Sequence, residues 1–363
     1  MTAIAYFISP HGFGHAARAA ALIEALADAA PALSFDIFTT VPEWFFKDSL
    51  SAPFRYHRLK TDVGFVQTSP LHEDLAATLS ALDGFLPFDP GATSDLADTI
   101  TNLGCRLVIC DIAPLGIAVA KKAALPSVLV ENFTWDWLYA GYPRLNGRFQ
   151  RHIDYLGKVF SNADVHIQTD PICRKTGADL SVPPMSRKPR ESPGDVRKTL
   201  SIGDGRKMVV VTMGGIQERY GFLERLKTRP EVRFVIPGGA DKKRIEDNLL
   251  LPPQRSGVYH PDLINACDAL VGKAGYSTIA EAFQAGVPFG YVPRPGFPEM
   301  PGLVAFIERQ MPSMAIAPED FEAGEWVSRI DALLSIGRVA EARPNGADTA
   351  ARYLLDTVLT ARR

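Results

Sequence analysis

One plan, run through twice, limits what this chain can fold into: a short apolar run, a glycine turn, then a segment with helical apolar spacing. Ala3 to Ser9 reads as a buried strand, Pro10-His11-Gly12-Phe13-Gly14-His15 as a turn, and Ala16 to Ala30 as an alanine-rich helix that Pro31 ends. Much later Ala269-Leu270-Val271 is again of strand type, Gly272-Lys273-Ala274-Gly275 turns, and an apolar-periodic segment starts near Thr278. At 363 residues the chain is too long for one compact core. The expectation is an α/β protein of two similar halves with a cleft between them.

The intervening chain fills in each half. Ser34 to Thr39, Arg106 to Cys110, Ser127 to Val130 and Val165 to Thr169 read as strands of the first half. Thr40 to Pro90 has no clear period and carries Trp44, Phe45, Phe46, Phe54, Phe65, Phe85 and Phe88, as loops that wall a cleft do. Asp170 to Pro193, rich in proline and charge, reads as an interdomain connection. Lys207 to Thr212, Glu231 to Ile236 and Pro288 to Pro293 supply strands of the second half, with Gly214-Gly215 and Pro237-Gly238-Gly239 as turns. Expected boundaries are 1–168 and 169–345, with a C-terminal helix in 346–363 that crosses back to the first half.

Composition excludes several classes. With 39 basic and 41 acidic side chains the net charge is -2, which gives no footprint for nucleic acid. Arg187, Lys188, Arg190, Arg197 and Lys198 cluster among prolines and read as a solvated linker. Cys105, Cys110, Cys173 and Cys267 show neither CxxC spacing nor disulfide-scaffold density, so a reducing cytoplasm is expected. No stretch reaches the roughly 18 apolar residues of a membrane span, which leaves peripheral membrane contact open.

The chemistry concentrates at the turns. Gly12, Gly14 and Ala17 fit the G-x-G-x-x-A dinucleotide fingerprint, but Asp36 lies inside the next strand and not at its end, where a ribose contact belongs. His15, at the helix start, is the candidate catalytic residue; its bland reading is a helix-terminal histidine bonded locally. Asp111, at a strand's carboxyl end, either orients His15 or caps the following helix. Asn132-Phe133-Thr134-Trp135-Asp136 alternates polar and aromatic residues, as a sugar site does; a helix burying Trp135 and Tyr139 at i and i+4 is the competing reading. In the second half, amides near Gly275 can hold an anion, and Glu281 either bonds a sugar hydroxyl beside it or closes a capping box on Thr278.

Taken together, the G-F-G-H loop, the Gly-Gly turn, G-K-A-G-Y-S-T-I-A-E and the proline-rich loop with Glu299 resemble a GT-B glycosyltransferase. They are similar to the family 28 N-acetylglucosaminyltransferases and to the glycosyltransferase-like N-terminal half of plant L-arabinokinase. The resemblance implies two Rossmann-like domains facing each other across a cleft. It places a UDP- or dTDP-sugar in the second half: the base near Tyr259 and His260, the diphosphate at Gly214, Gly215 and the turn Gly275, Tyr276, Ser277 and Thr278, the ribose at Glu281, the sugar at Glu299, with Gly14 and Lys273 also among the residues that bind the nucleotide sugar. It places a small-molecule or glycoconjugate acceptor near His11, Asn132, Trp135 and Asp136, with His15 as base and Asp111 behind it. The implied reaction is inverting hexosyl or pentosyl transfer to a hydroxyl. No D-x-D occurs, so neither a metal nor a cofactor is expected. The loop departs from the GGTGGH form of the peptidoglycan enzymes, and proline and methionine flank Glu299 where those enzymes carry a glutamine. A nucleotide-sugar hydrolase of similar body, and a module that binds a nucleotide sugar without chemistry, are the alternative readings.

Overall fold

The structure, a computed structural model, describes residues 2–69, 72–142, 147–203, 205–214, 220–253, 255 and 257–359. It divides into two compact units: Met1–Ser186 with Phe297–Gly302 and Asn345–Arg363, and Arg187–Gly296 with Leu303–Pro344.

The first unit is built on β1 (Thr2–Ile8), β2 (Leu33–Thr39), β3 (Phe54–Arg58), β6 (Cys105–Asp111), β7 (Ser127–Glu131), β8 (Val165–Thr169) and β9 (Leu180–Val182), with β4 (Val66–Ser69) and β5 (His72–Asp74) forming a separate antiparallel ribbon. The main sheet runs β3-β2-β1-β6-β7-β8-β9, and every pairing is parallel. Near-continuous apolar runs such as Ile4 to Ile8 and Leu107 to Cys110 are fully buried, as strands covered on both faces require. Helix α1 (Phe13–Ala29) lies on one face, its alanines allowing close approach, and the helix Gly346–Tyr353 packs on it through Ala347, Ala350 and Ala351. Two expectations change here. The segment read as an interdomain connection contains β9, a three-residue edge strand too short to carry a period. The stretch from Thr40 to Pro90 contains β3 and the ribbon as well as aromatic loop.

The second unit repeats the plan. Its sheet comprises β10 (Lys207–Thr212), β11 (Val232–Val235), β12 (Arg244–Glu246), β13 (Leu249–Leu251), β14 (Ala269–Lys273), β15 (Phe289–Val292) and β16 (Ser313–Ala315) in the order β12-β13-β11-β10-β14-β15-β16. Only the β12–β13 pairing at the edge is antiparallel. Gly272 is required by packing: a Cβ there would stand 2.0 Å from the Thr212 carbonyl oxygen of neighbouring β10.

The strand order reverses between β1 and β6 in the first unit and, among the parallel strands of the second, between β10 and β14. Ligands of open α/β sheets bind outside the strand carboxyl ends at such a switch point. His15 and Asp111 follow from one of these ends, and Gly214 and Gly275 from the other.

Candidate functional site

In the first unit β1 delivers the chain to Gly12, whose φ of 75° suits glycine, and α1 begins at Phe13 with Gly14 and His15 in its first turn. Ile8 pairs with Asp111 across β1 and β6, so the carboxylate arrives beside that turn. His15 Nδ1 lies 2.9 Å from Asp111 Oδ1, with both residues buried. Arg18, one turn further along α1, forks onto the same carboxylate: Nε donates to Oδ2 at 2.8 Å and Nη2 to Oδ1 at 2.6 Å. Its Nη1 donates to Asn132 Oδ1 at 2.7 Å.

These partners fix the imidazole. An ionised carboxylate only accepts, so the 2.9 Å contact requires a proton on His15 Nδ1, and in the neutral ring Nε2 then keeps its lone pair. Burial works against ionisation of Asp111, but the Arg18 guanidinium and its hydrogen bonds outweigh it and hold the carboxyl below its ordinary range. Burial is also the largest influence on His15 and pushes it below 6.5; Asp111 opposes this without prevailing, and the Arg18 charge adds to it. The resting pair is therefore a neutral imidazole on a carboxylate, the form in which a histidine can take a proton.

The surroundings differ from expectation at several residues. Trp135 is 1% exposed and offers no face to a sugar. It opens a short helix, Trp135–Ala140, in which its ring stacks on Tyr139 at 6.0 Å, the i and i+4 burial that was the competing reading. Its ring backs both histidines, His11 at 5.3 Å and His15 at 6.1 Å. Asn132 is fully buried and committed to Arg18, with Nδ2 toward Cys173 Sγ at 3.6 Å. Asp136, next in that helix, is half-buried, and its Oδ2 lies 3.6 Å from where a Cβ on Gly157 of the helix Gln150–Phe160 would stand. The asparagine is therefore not placed to meet an acceptor directly. His11 keeps a half-buried position, its Nδ1 accepting from the Phe65 amide at 3.3 Å. Glu299 belongs to a short segment of the first unit, where its carbonyl faces Cys173 Sγ at 3.9 Å. The resemblance assigns it to the donor sugar.

Asp62, not anticipated from the sequence, is 2% exposed and accepts the Trp135 Nε1 proton at 3.0 Å on Oδ2, while Oδ1 has no partner. Burial pushes its carboxyl up to about 7, against the smaller lowering effects of Ser9 and Trp135.

In the second unit β14 ends at Lys273 and the helix Tyr276–Ala285 starts with Gly275 as its N-cap and no side-chain cap. The expected Thr278–Glu281 capping box is absent because the helix starts two residues before Thr278. Glu281 then falls in the second turn, out of reach of the cap amide. Its Oε1 instead accepts from Arg187 Nη2 at 2.8 Å and Nε at 3.1 Å, and its Oε2 from His260 Nδ1 at 2.7 Å. Burial opposes the charge, but Arg187 and then His260 outweigh it and hold Glu281 at about 2. Arg187 is thus buried and paired, which overturns its reading as solvated linker, and it lies 5.2 Å from the Tyr259 ring centre, with Arg190 at 4.4 Å. Gly214 turns with φ 82° after β10, while Gly215 lies outside the described residues. Ser277 is half-buried and Tyr276 and Thr278 are buried in the first helical turn.

No protein-family profile matches the chain. It is 27% identical over 367 residues to L-arabinokinase of Arabidopsis thaliana, an alignment covering 98% of this chain and 34% of that protein. The chain thus spans about a third of the length of that curated relative. In structure it is similar to spinosyn forosaminyltransferase SpnP, with TM-score 0.62, 15% identity and coverage of 98% of this chain and 95% of that one. It is likewise similar to Phytolacca americana UGT2, solved with UDP-2fluoro-glucose and pterostilbene, with TM-score 0.59, 14% identity and coverage of 98% and 93%. The fold is GT-B, with two Rossmann-like α/β units. Among the described residues no helix is long and apolar enough to cross a membrane.

Proposed function

We propose that the chain is a glycosyltransferase that moves a sugar from a UDP- or dTDP-type nucleotide sugar to a hydroxyl of a small-molecule or glycoconjugate acceptor. His15 is the base: its Nε2 takes the acceptor proton as the hydroxyl oxygen bonds to the anomeric carbon and the nucleoside diphosphate leaves. One displacement inverts that carbon. Asp111 then balances the imidazolium, as the buried acid of a His-Asp pair does. The observation that carries this reading is the 2.9 Å His15–Asp111 contact at the switch point of the first sheet.

The second unit holds the donor. Charge on the departing diphosphate meets the uncapped start of the helix Tyr276–Ala285 and the Gly214 turn, which supply fixed donors without a metal. Glu281 is 4% exposed with both oxygens engaged, so it orders His260 and Arg187 at the nucleotide site and does not itself meet the ribose. That Phytolacca americana UGT2 was solved with a UDP-sugar supports a nucleotide-sugar donor. The test is a thermal-shift screen against nucleoside diphosphates. A ligand that binds only the folded form at 100 times its Kd stabilises by about 2.7 kcal/mol. A rise with UDP or dTDP supports the reading, and no rise with any nucleoside diphosphate contradicts it.

A further inference from the structure

His15 and Asp111 do not form an isolated pair. Arg18 closes a triangle with them: Nη2 is 2.6 Å from Asp111 Oδ1 and 3.3 Å from His15 Nδ1, while Nε holds the second carboxylate oxygen at 2.8 Å. The guanidinium is fully buried and its third arm is tied to Asn132 at 2.7 Å. A planar fork on both oxygens fixes the rotation of the carboxylate, which a single bond to an imidazole does not. Guanidinium has only donors and carboxylate only acceptors, so Nδ1 stands between one group that cannot accept and one that cannot donate. The shorter contact decides. Nδ1 carries the proton toward Oδ1, because a bare Nδ1 would set its lone pair against an anionic oxygen at 2.9 Å.

We propose that Arg18 is a positioning residue for the His15 base: by locking the Asp111 carboxylate through its fork and its Asn132 tie, it fixes the imidazole in the Nδ1–H tautomer and keeps Nε2 bare at rest. Burial keeps the His15 imidazole neutral at rest, and the Arg18 charge adds to that effect. The groups facing the imidazole are Asp111 from β6, Arg18 from α1, and the Trp135 and Phe133 rings at 6.1 Å. The inference rests on His15 being the base, but it concerns a protonation state that can be read without any substrate.

Imidazole nitrogen NMR on the full chain tests it, following His15 against pH in the wild type and in Asn132→Ala, Arg18→Lys and Arg18→Met. In the wild type Nδ1 is expected protonated and Nε2 bare at neutral pH. Asn132→Ala keeps both charges and should loosen the lock mildly. Arg18→Lys keeps the charge but not the fork, and should give a mixture of tautomers. Arg18→Met should move protonation of His15 to higher pH, since Asp111 then answers to the imidazole alone. A wild-type Nε2–H tautomer overturns the proposal outright. So does an unchanged tautomer and titration in Asn132→Ala and Arg18→Lys with native amide spectra. Failure of the glycosyltransferase reading appears elsewhere, as absent turnover with the His15 spectra as expected.

Discussion

Trp135 Nε1 donates to Asp62 Oδ2 at 3.0 Å, and this one hydrogen bond braces the indole against which both His11 and His15 stand. The carboxyl that provides it is buried with its other oxygen unpartnered, so ionising it costs solvation that the site does not return. The folded protein holds the Asp62 proton up to about 7, against an ordinary value of 3.8. A group whose folded value is raised contributes its full stability below the unfolded value and loses it as pH rises through the folded one. Wild-type stability should therefore fall between these two values, by up to roughly 4 kcal/mol. Asp62→Asn keeps an acceptor for the indole and removes the charge. Denaturant midpoints across that range should be flatter for the variant and higher than wild type on the alkaline side; parallel profiles would show that Asp62 is not the titrating group.

Glu281 gives the opposite sign. Its folded value of about 2 lies below the ordinary 4.5, so its contribution is complete above 4.5 and is lost as pH falls toward 2. Glu281→Gln removes the carboxylate paired with the buried Arg187 guanidinium, and breaking such a pair costs about 3–5 kcal/mol at neutral pH. Equilibrium unfolding should show that loss and a shallower acid slope. A variant as stable as wild type would mean that the Arg187 and His260 bonds are not formed in solution.

Gly272→Ala tests the packing of the second switch point. The new methyl would meet the Thr212 carbonyl oxygen at 2.0 Å, and since that atom is backbone, β14 must move away from β10. A loss of about 1–3 kcal/mol or more is expected in urea unfolding. The nucleotide-dependent thermal shift should shrink with it, because β14 carries Lys273 and leads into Gly275.

The two sheets were legible because strands buried on both faces are written as unbroken apolar runs: Val165 to Thr169 and Lys207 to Thr212 fall where the pattern puts them. His15 and Asp111 were legible because Asp111 ends one strand and His15 stands in the first turn of the helix that follows another. Arg18, Asp62 and Arg187 were not, since their partners lie 93, 73 and 94 residues away and charge in the sequence does not show what it will face. Asn132, Trp135 and Asp136 suited a sugar site by alternation, yet a six-residue helix turned Trp135 inward and Arg18 claimed Asn132. At Glu281 the T-x-x-E spacing was real, but the helix began earlier than the threonine, at Tyr276, which moved the glutamate from cap to core.

The most direct test of the account is acceptor-dependent release of nucleoside diphosphate from the nucleotide sugar that stabilises the protein, measured for wild type and His15→Ala with free sugar followed in parallel. The account predicts turnover with a hydroxyl acceptor, a loss of about 100-fold or more in the variant, and an unchanged donor-induced thermal shift. Equal turnover in the two proteins, or sugar released as fast without any acceptor, would contradict it.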